Sequence, residues 1–306
     1  MTELQKNQIV QAINDEKVRL GSQNKVATKC GVSSATISQM MNGNWELIKA
    51  EMWQKVAQSL TINVLDEWQV VETMNYRMIF SVLNDAKNAS LFIPISHKAG
   101  SGKTTALTTY ANLYAGDNVF FIQAREWARR EFLLELCKEL GIKQDSGYSS
   151  VDTLGQKVIQ FFSQRTNKKP LLIVDEADKL KPSALRWFIS LYNELEDKMG
   201  CVISGTDNLE KTIKQGVRYN KLGFDEVDDR FGRKFIHLVG ATKKDFQMIC
   251  EANGLTDSEL INNLFTNELD PVNITVQGQN VKVVESFRRI KRVIKRELLK
   301  ANYGNE

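Results

Sequence analysis

The sequence predicts an α/β domain with a five-stranded parallel sheet and a helical lid, preceded by an all-helical module. In the first sixty residues, apolar side chains recur at helical spacing and no strand-like run occurs. From Leu91 onward, helical stretches separate short apolar runs: LFIPIS, NVFFIQ, PLLIVDE, CVISGT and KFIHLV. This alternation is typical of a parallel sheet covered by helices. The chain then turns helical again and closes with SFRRIKRVIKRELLK, which carries one apolar stripe.

The length and composition of the chain allow more than one folded domain. Of its 306 residues, 42% are hydrophobic and 25% are charged, which is enough apolar material for a core in each of two ordinary domains. The predicted boundaries are an all-helical domain over 1–65, an α/β core over 66–239 and a helical lid over 240–306. The net charge of +4 permits a polyanionic partner without requiring one.

The cysteines and the apolar runs bear on the location of the protein. The four cysteines are widely spaced: Cys30, Cys137, Cys201 and Cys250. They form no C-x-x-C pair, and only two histidines could join them, so a structural zinc site is not expected. Neither the polar start nor any apolar run resembles a signal peptide or a membrane span. We therefore expect a protein of the reducing cytoplasm without a membrane partner.

The segment HKAGSGKT lies between the first predicted strand and a predicted helix. Glycines at 100 and 102 let the backbone turn tightly, so that successive N–H groups point at phosphates. Lys103 is expected to reach the β- and γ-phosphates, and Thr104 to place its hydroxyl on Mg²⁺. The predicted nucleotide-binding residues are Ala99, Gly100, Ser101, Gly102, Lys103, Thr104 and Thr105. The predicted cofactors are therefore ATP and Mg²⁺.

The segment HKAGSGKT resembles the Walker A pattern G-x-x-x-x-G-K-[ST] except at one position. The pattern has glycine where this chain has His97. A histidine is strained if its position demands a positive φ, because a side chain disfavours that conformation. Whether His97 is strained therefore depends on the φ that this position requires.

The run LLIVDEAD supplies the second half of the predicted site. Its four apolar residues predict a buried strand, and Asp175 and Glu176 follow at the carboxyl end of that strand. Asp175 is expected to hold Mg²⁺ through water. Glu176 is the better candidate for polarising the attacking water, since phosphoryl transfer needs a positioned acceptor near the γ-phosphate. The predicted reaction is the hydrolysis of ATP to ADP and phosphate.

Together these motifs resemble the AAA+ ATPases over roughly residues 75–301. In that family an additional strand lies between the two motif-bearing strands and ends in a polar sensor residue. The run CVISGT fits this description, with Thr206 as the closest match and Ser204 as the alternative. The family also supplies an arginine to the γ-phosphate of a neighbouring subunit. The stretch DDRFGRK resembles that motif, which implies Arg230 or Arg233 as this arginine.

The closing helix resembles the second sensor helix of the initiator-like AAA+ branch. In SFRRIKR, Arg288 is most similar to the arginine that touches the γ-phosphate from the lid, and Arg289 is its near rival. An arginine pair is also common on a solvated helix face. The adenine pocket is not identified by a motif, although Asn75 and Tyr76, just ahead of the core, are reasonable candidates for it.

The stretch NKVATKCGVSSATISQMMNG predicts a helix-turn-helix of the repressor type. It places the small Ala27 where two helices cross, Gly31 at the turn and Ile37 on the inner face of the second helix. The predicted DNA-contacting residues of this module are Lys25, Lys29, Ser33, Ser34, Thr36 and Gln39. Because this second helix lacks an arginine for reading guanine, we expect mainly phosphate contacts with little sequence specificity. A helical bundle that binds protein is the alternative.

A second basic stretch, AREWARRE, follows the NVFFIQ strand and brings Arg125, Arg129 and Arg130 close to Trp127. In initiator-like AAA+ rings the corresponding region can line the DNA path, so these arginines are candidates for gripping a DNA backbone. Arginines exposed on an amphipathic helix are equally common without such a role.

The combination of a repressor-like helix-turn-helix and an initiator-like AAA+ domain resembles the B-protein family of Mu-like transposable elements. The resemblance implies an ATPase that forms a homo-oligomer, a filament or ring, on double-stranded DNA. It also implies delivery of that target DNA to a DDE transposase, which the protein activates. Two other functions remain open: a helicase loader or replication initiator, and a transcriptional regulator that senses nucleotide without turning it over.

Overall fold

The computed structural model describes residues 3–60, 68–143, 149–276 and 278–303. Its contacts divide the chain into two compact units, Met1–Gln69 and Val70–Glu306. All four cysteines are buried as free thiols. Within the described ranges, no helix combines the length and the apolar character needed to cross a membrane.

The described part of the first unit is helical, as predicted. Its helices are α1 (Glu3–Leu20), α2 (Gln23–Cys30), α3 (Ser34–Met41) and α4 (Ala50–Ser59). They enclose a small apolar core that includes Ala27, Ile37 and Trp53. Helix α2 ends at Gly31, whose φ of 62° lies in the left-handed region that glycine adopts without strain. Ser33 then accepts a hydrogen bond from the backbone N–H of Thr36 and caps α3.

The second unit contains two sheets and the remaining helices. Its strands are β1 (Phe92–Ser96), β2 (Val119–Gln123), β3 (Leu171–Asp175), β4 (Gly200–Gly205), β5 (Ala241–Thr242), β6 (Val272–Val276) and β7 (Gln279–Val284). Its α-helices are α5 (Met74–Ala89), α6 (Lys103–Leu113), α7 (Arg129–Glu139), α8 (Val151–Ser163), α9 (Pro182–Leu185), α10 (Trp187–Leu195), α11 (Asp207–Arg218), α12 (Phe224–Arg230), α13 (Lys243–Ala252), α14 (Ser258–Asn263) and α15 (Phe287–Tyr303). A π-helix, Leu264–Glu268, follows α14.

The larger sheet has four parallel strands in the order β1-β4-β3-β2. Helices cover both of its faces. In β3, Leu172 and Val174 belong to the core on one face, and Leu171 and Ile173 belong to the core on the other. A strand that is buried on both faces is apolar throughout, which explains the continuous run LLIV. Because the strands are parallel, the carboxyl ends of β1, β3 and β4 meet at one edge of the sheet.

The predicted fifth strand, KFIHLV, does not form a complete strand. Only Ile236 pairs with β1, through one isolated parallel bridge to Ile95. The backbone N–H of Ile236 donates to Pro94, and its carbonyl accepts from Ser96. Extending this ladder backward would require an N–H from Pro94, which proline lacks. At the other end, Nδ1 of His237 lies 3.0 Å from the Ser96 carbonyl oxygen that a further strand residue would need.

The predicted lid also differs from the expectation, because it is not wholly helical. Strands β5, β7 and β6 form an antiparallel sheet in that order. Strands β6 and β7 are rich in β-branched residues, and Gly278 has a φ of 81° in the connection between them. These features are a hairpin signal that the helical interpretation of this region overlooked.

Candidate functional site

The segment predicted to bind phosphates forms a loop between β1 and α6. Residues 97–102 make this loop, and Lys103, Thr104 and Thr105 begin α6. Gly100 and Gly102 have φ values of 83° and 86°, which side chains rarely adopt. A Cβ atom on Gly100 would also lie 3.0 Å from Oγ of Ser286, the residue that precedes α15. The loop is therefore shaped by its glycines and is covered by the start of α15.

Lys103 directly follows this loop, and its side chain, which extends back into the loop, is part of a residue only 8% exposed. Its Nζ donates hydrogen bonds to the carbonyl oxygens of His97 at 2.5 Å and Lys98 at 3.0 Å, and to Oγ of Ser101 at 3.1 Å. Burial lowers the pKa of Lys103, and the nearby Asp175 carboxylate opposes this shift. The ammonium group thus lies in the centre of the loop, where it can exchange these acceptors for phosphate oxygens.

The condition under which His97 would be strained, a positive φ, is not met. His97 is not among the residues with a positive φ. Its N–H donates to the carbonyl of Gly205 at 3.3 Å, and its own carbonyl accepts from Lys103. Burial lowers the pKa of the His97 imidazole, and the charge of Lys103 adds to this effect. The positive φ values of the loop fall on its glycines instead, so histidine is accommodated at this position.

Thr104 and Asp175, the two predicted ligands of Mg²⁺, are in direct contact. The Thr104 hydroxyl donates to Oδ2 of Asp175 at 2.6 Å. Asp175 is 1% exposed, and this burial raises its pKa, while hydrogen bonds from Thr104 and from the backbone of Glu176 oppose the rise. Hydroxyl and carboxylate oxygens are the hard ligands that Mg²⁺ prefers, and Mg²⁺ commonly takes only one or two protein ligands beside substrate phosphates. This pair therefore fits the predicted cation.

Glu176 follows Asp175 in the left-handed conformation, with a φ of 54°. This turn directs the two adjacent acids differently: Asp175 is buried, whereas Glu176 is partly exposed and forms an ion pair with Lys179. Lys179 was not among the predicted site residues. Its spacing of three residues from Glu176 is the spacing at which side chains pair in a helical turn. A bound nucleotide would compete with Lys179 for the orientation of the Glu176 carboxylate.

Strand β4 lies between β1 and β3, as the family resemblance implies, and it contains Ser204, while Thr206 directly follows it. Ser204 is fully buried within the strand. Thr206 caps α11, and its hydroxyl donates to Oδ2 of Asp178 at 2.7 Å. Asp178 was not singled out from the sequence, and it connects Thr206 to the turn that begins at Glu176. Thr206 is thus linked to the turn that follows the acidic pair, whereas Ser204 lies inside the strand.

The lid contacts the loop of residues 97–102, which we call the phosphate loop after its predicted role, through the first turn of α15. The backbone N–H of Phe287 donates to the Gly100 carbonyl at 2.8 Å. A Cβ atom on Gly100 would lie 3.6 Å from Cγ of Arg288, and the Arg288 charge contributes to the lowered pKa of Lys103 that burial mainly causes. Arg289 instead bonds to Asp270 at 2.6 Å. Of the two rival arginines, only Arg288 is placed beside the loop.

This difference predicts unequal effects of two otherwise identical substitutions. Arg288→Ala should lower the rate of ATP hydrolysis by roughly tenfold or more, because a hydrogen bond to a charged group contributes about 1.5–3 kcal/mol. Arg289→Ala should leave the rate nearly unchanged and lower the melting temperature, since Arg289 holds Asp270 and the Glu268 carbonyl. Steady-state hydrolysis and thermal melts test both variants. Equal loss of hydrolysis in the two variants would contradict the assignment.

The two candidates for the arginine donated to a neighbouring subunit differ in their surroundings. Arg233 forms ion pairs with Asp225 at 2.8 Å and Asp229 at 3.0 Å, and the hydrogen bonds that it donates to these carboxylates raise its pKa. Arg230, at the end of α12, donates to Oδ1 of Asn193 at 3.2 Å. Each arginine would have to exchange these contacts to reach a second copy, and Arg233 would have to leave more of them.

In the first unit, the predicted DNA-contacting residues of α3 also contact one another or α2. The Ser33 hydroxyl accepts the backbone N–H of Thr36 at 3.1 Å. The Ser34 hydroxyl donates to Oδ1 of Asn24 at 2.6 Å. Gln39 is half-buried on the same helix. The Ser33 and Ser34 hydroxyls thus hold the start of α3, so contact with bases would require these two to share or exchange their hydrogen bonds.

The two lysines predicted to contact phosphates also differ. Lys25 is exposed on α2, whereas Lys29 forms an ion pair with Glu16 at 2.8 Å. A phosphate that approaches Lys29 must therefore compete with a carboxylate of the same unit. Lys25 can meet a phosphate without that competition.

The basic stretch after β2 is divided between a connection and the start of a helix. Residues 124–128 form a connection, and α7 begins only at Arg129. Arg125 is exposed in that connection, and Trp127 packs against the apolar core. Arg129 forms an ion pair with Asp152 at 3.2 Å, and Arg130 is the next residue of α7. The packing of Trp127 explains why the helix starts late, since the preceding chain must turn to bury that ring.

One family model and several solved structures are similar to this chain. Residues 87–213 match the family model described as an AAA domain. Cdc6p from Pyrobaculum aerophilum is 18% identical over 61% of this chain and 51% of its own, with a TM-score of 0.47. The ORC1 protein of Aeropyrum pernix, solved in complex with DNA, is 12% identical over 79% of this chain and 63% of its own, with a TM-score of 0.47. The chain thus spans about half of the first structure and under two thirds of the second. No curated protein matches it significantly in sequence.

Proposed function

We propose that this protein binds ATP with Mg²⁺ and hydrolyses the ATP to ADP and phosphate. The observation that carries this proposal is the meeting of three distant segments at one place. The start of α6 contributes Lys103, the end of β3 and the residue after it contribute Asp175 and Glu176, and the start of α15 contributes Arg288. Positively charged side chains that can bind a polyphosphate thereby lie together with hard oxygen ligands that can bind a cation.

Each residue of this site has a role that follows from its position. Lys103 binds the β- and γ-phosphates, while Thr104 and Asp175 would hold Mg²⁺. When bound, the cation neutralises charge on the phosphate oxygens. Glu176 orients the attacking water, and Arg288 contacts the γ-phosphate from the lid. Positioning and electrostatic stabilisation account for most of the catalysis of phosphoryl transfer, and these five side chains supply both.

We further propose that ATP promotes assembly of the protein on double-stranded DNA. The first unit has a helix-turn-helix arrangement with the exposed Lys25, and the second has arginines that can complete the ATP site of another copy. If Arg230 or Arg233 contacts the γ-phosphate of a neighbour, assembly is tightest while ATP is bound. Hydrolysis then removes that contact and loosens the assembly.

Within this function, we propose a role in DNA transposition, as a protein that selects target DNA and activates a DDE transposase. Support comes from the order of the two modules, a repressor-like helix-turn-helix before an ATPase core. Assemblies preformed on DNA should direct the insertions of such a transposase to the covered segment. Binding to a replicative helicase without any effect on insertion would instead favour a helicase loader.

The first test is electron microscopy of the purified protein on non-specific duplex DNA, with ATP, a non-hydrolysable analogue or ADP. We expect ordered filaments or rings with ATP and with the analogue, and dispersed particles with ADP. Salt concentration must be held constant, because phosphate contacts weaken steeply as salt rises. Particles that do not respond to nucleotide would contradict ATP-dependent assembly.

A further inference from the structure

Asn75 lies near the start of α5 and is 1% exposed. Both the nitrogen and the oxygen of its side-chain amide form hydrogen bonds. Its Nδ2 donates to the carbonyl oxygen of Ser101 at 3.1 Å. Its Oδ1 accepts the backbone N–H groups of Val239 at 2.9 Å and Gly240 at 3.0 Å. One amide group thus joins the phosphate loop to a segment far away in sequence.

That distant segment is the connection into the lid, because β5 begins at Ala241 directly after it. A second set of bonds ties α5 to the same part of the lid. Asp245 on α13 is 2% exposed, and its Oδ1 accepts the backbone N–H of Met74 at 3.0 Å. Its Oδ2 accepts the N–H and the hydroxyl of Thr242. The start of α5 is therefore attached to the phosphate loop on one side and to the lid on the other.

The bond to Ser101 has a direct consequence for phosphate binding. The peptide group between Ser101 and Gly102 is planar and trans, so its carbonyl and its N–H point in opposite directions. Fixing the Ser101 carbonyl on Asn75 therefore also fixes the direction of the Gly102 N–H. Backbone N–H groups of this loop are the ones expected to bind phosphate oxygens. If phosphate binding changes the orientation of this peptide, it also changes the hydrogen bond between Ser101 and the Asn75 amide.

We propose that Asn75 is a positioning residue that couples the phosphate loop to the lid connection. Through its side chain, phosphate contact at the Ser101–Gly102 peptide changes the hydrogen bonds of Val239 and Gly240. This inference rests on the proposed ATP binding and adds the route by which the nucleotide reaches the lid. Asn75 acts through the loop backbone, with no contact to the substrate.

Asn75→Asp should break the hydrogen bond to Ser101 and keep the hydrogen bonds to the lid connection. The carboxylate can still accept the N–H groups of Val239 and Gly240, but it places a charged oxygen against the Ser101 carbonyl. We expect ATP affinity to fall about tenfold, the factor that 1.4 kcal/mol represents. Hydrogen exchange of the Val239–Gly240 segment should respond to ATP in the unmodified protein. In the variant this response should be lost.

Asn84→Asp is the matched control. It makes the same chemical change on α5, and its oxygen can still accept the hydroxyl of Tyr110. We expect it to preserve both the affinity and the exchange response. The inference is overturned if ATP leaves the exchange of this segment unchanged in the unmodified protein. It is also overturned if Asn75→Asp retains normal affinity and response. Failure of the unmodified protein to bind ATP would overturn the proposed function, and this inference with it.

Discussion

Lys103→Ala is expected to abolish ATP binding while leaving the fold intact. The lysine ammonium supplies charged hydrogen bonds to two phosphates, each worth about 1.5–3 kcal/mol, so affinity should fall by roughly 100-fold or more. Without ATP, assembly on DNA should fail as well. The free energy of unfolding should change by no more than about 1 kcal/mol, because removal of a desolvated charge offsets the lost hydrogen bonds.

Titration calorimetry with ATP and Mg²⁺ measures the affinity, and thermal melts without nucleotide measure the fold. Lys211→Ala is the control, since Lys211 is exposed on α11 of the same unit. The control should bind ATP as the unmodified protein does. ATP affinity within threefold of normal in Lys103→Ala would show that the loop does not bind phosphates as proposed.

Glu176→Gln is expected to retain ATP binding and to lose hydrolysis. A glutamine keeps the size of the side chain but removes the charged acceptor that orients water, an effect of about 10²- to 10⁴-fold on the rate. Its exposed ion pair with Lys179 contributes less than about 1 kcal/mol, so the fold should persist. Because ATP stays bound, assemblies on DNA should become long-lived.

Single-turnover hydrolysis and dissociation of assemblies after dilution measure the two effects. Glu194→Gln is a matched control on α10, where the same substitution changes an exposed acid outside the site. Its hydrolysis and dissociation should be unchanged. Dispersed Glu176→Gln protein in the presence of ATP and DNA would contradict the link between hydrolysis and disassembly.

The parts of the site that the sequence predicted are those made by neighbouring residues. The loop with Lys103 and Thr104 is one continuous segment, and Asp175 with Glu176 follows one apolar strand. Such segments carry their geometry locally, through glycines with positive φ and through a strand buried on both faces. The meeting of Thr104 with Asp175 could also be predicted, since the carboxyl ends of parallel strands share one edge.

Other features depend on contacts between distant segments, and there the sequence was ambiguous or misleading. The run KFIHLV looks like a strand, but its pairing stops because Pro94 on the neighbouring strand has no N–H to donate. The lid was expected to be helical, yet β-branched runs in it pair as a hairpin. Arg288 and Arg289 are adjacent and alike in sequence, and only the placement of Asp270 and Gly100 distinguishes them.

The sequence alone was thus sufficient to predict a helical module, a parallel α/β core, a glycine-containing loop after the first strand and an acidic pair after the third. Local backbone preferences and the alternation of apolar runs are sufficient for those features. The number of paired strands, the sheet in the lid and the link from Ser101 through Asn75 to Gly240 depend on tertiary contacts. These depend on which donors and acceptors of remote segments come within hydrogen-bonding distance, and no local pattern encodes that distance.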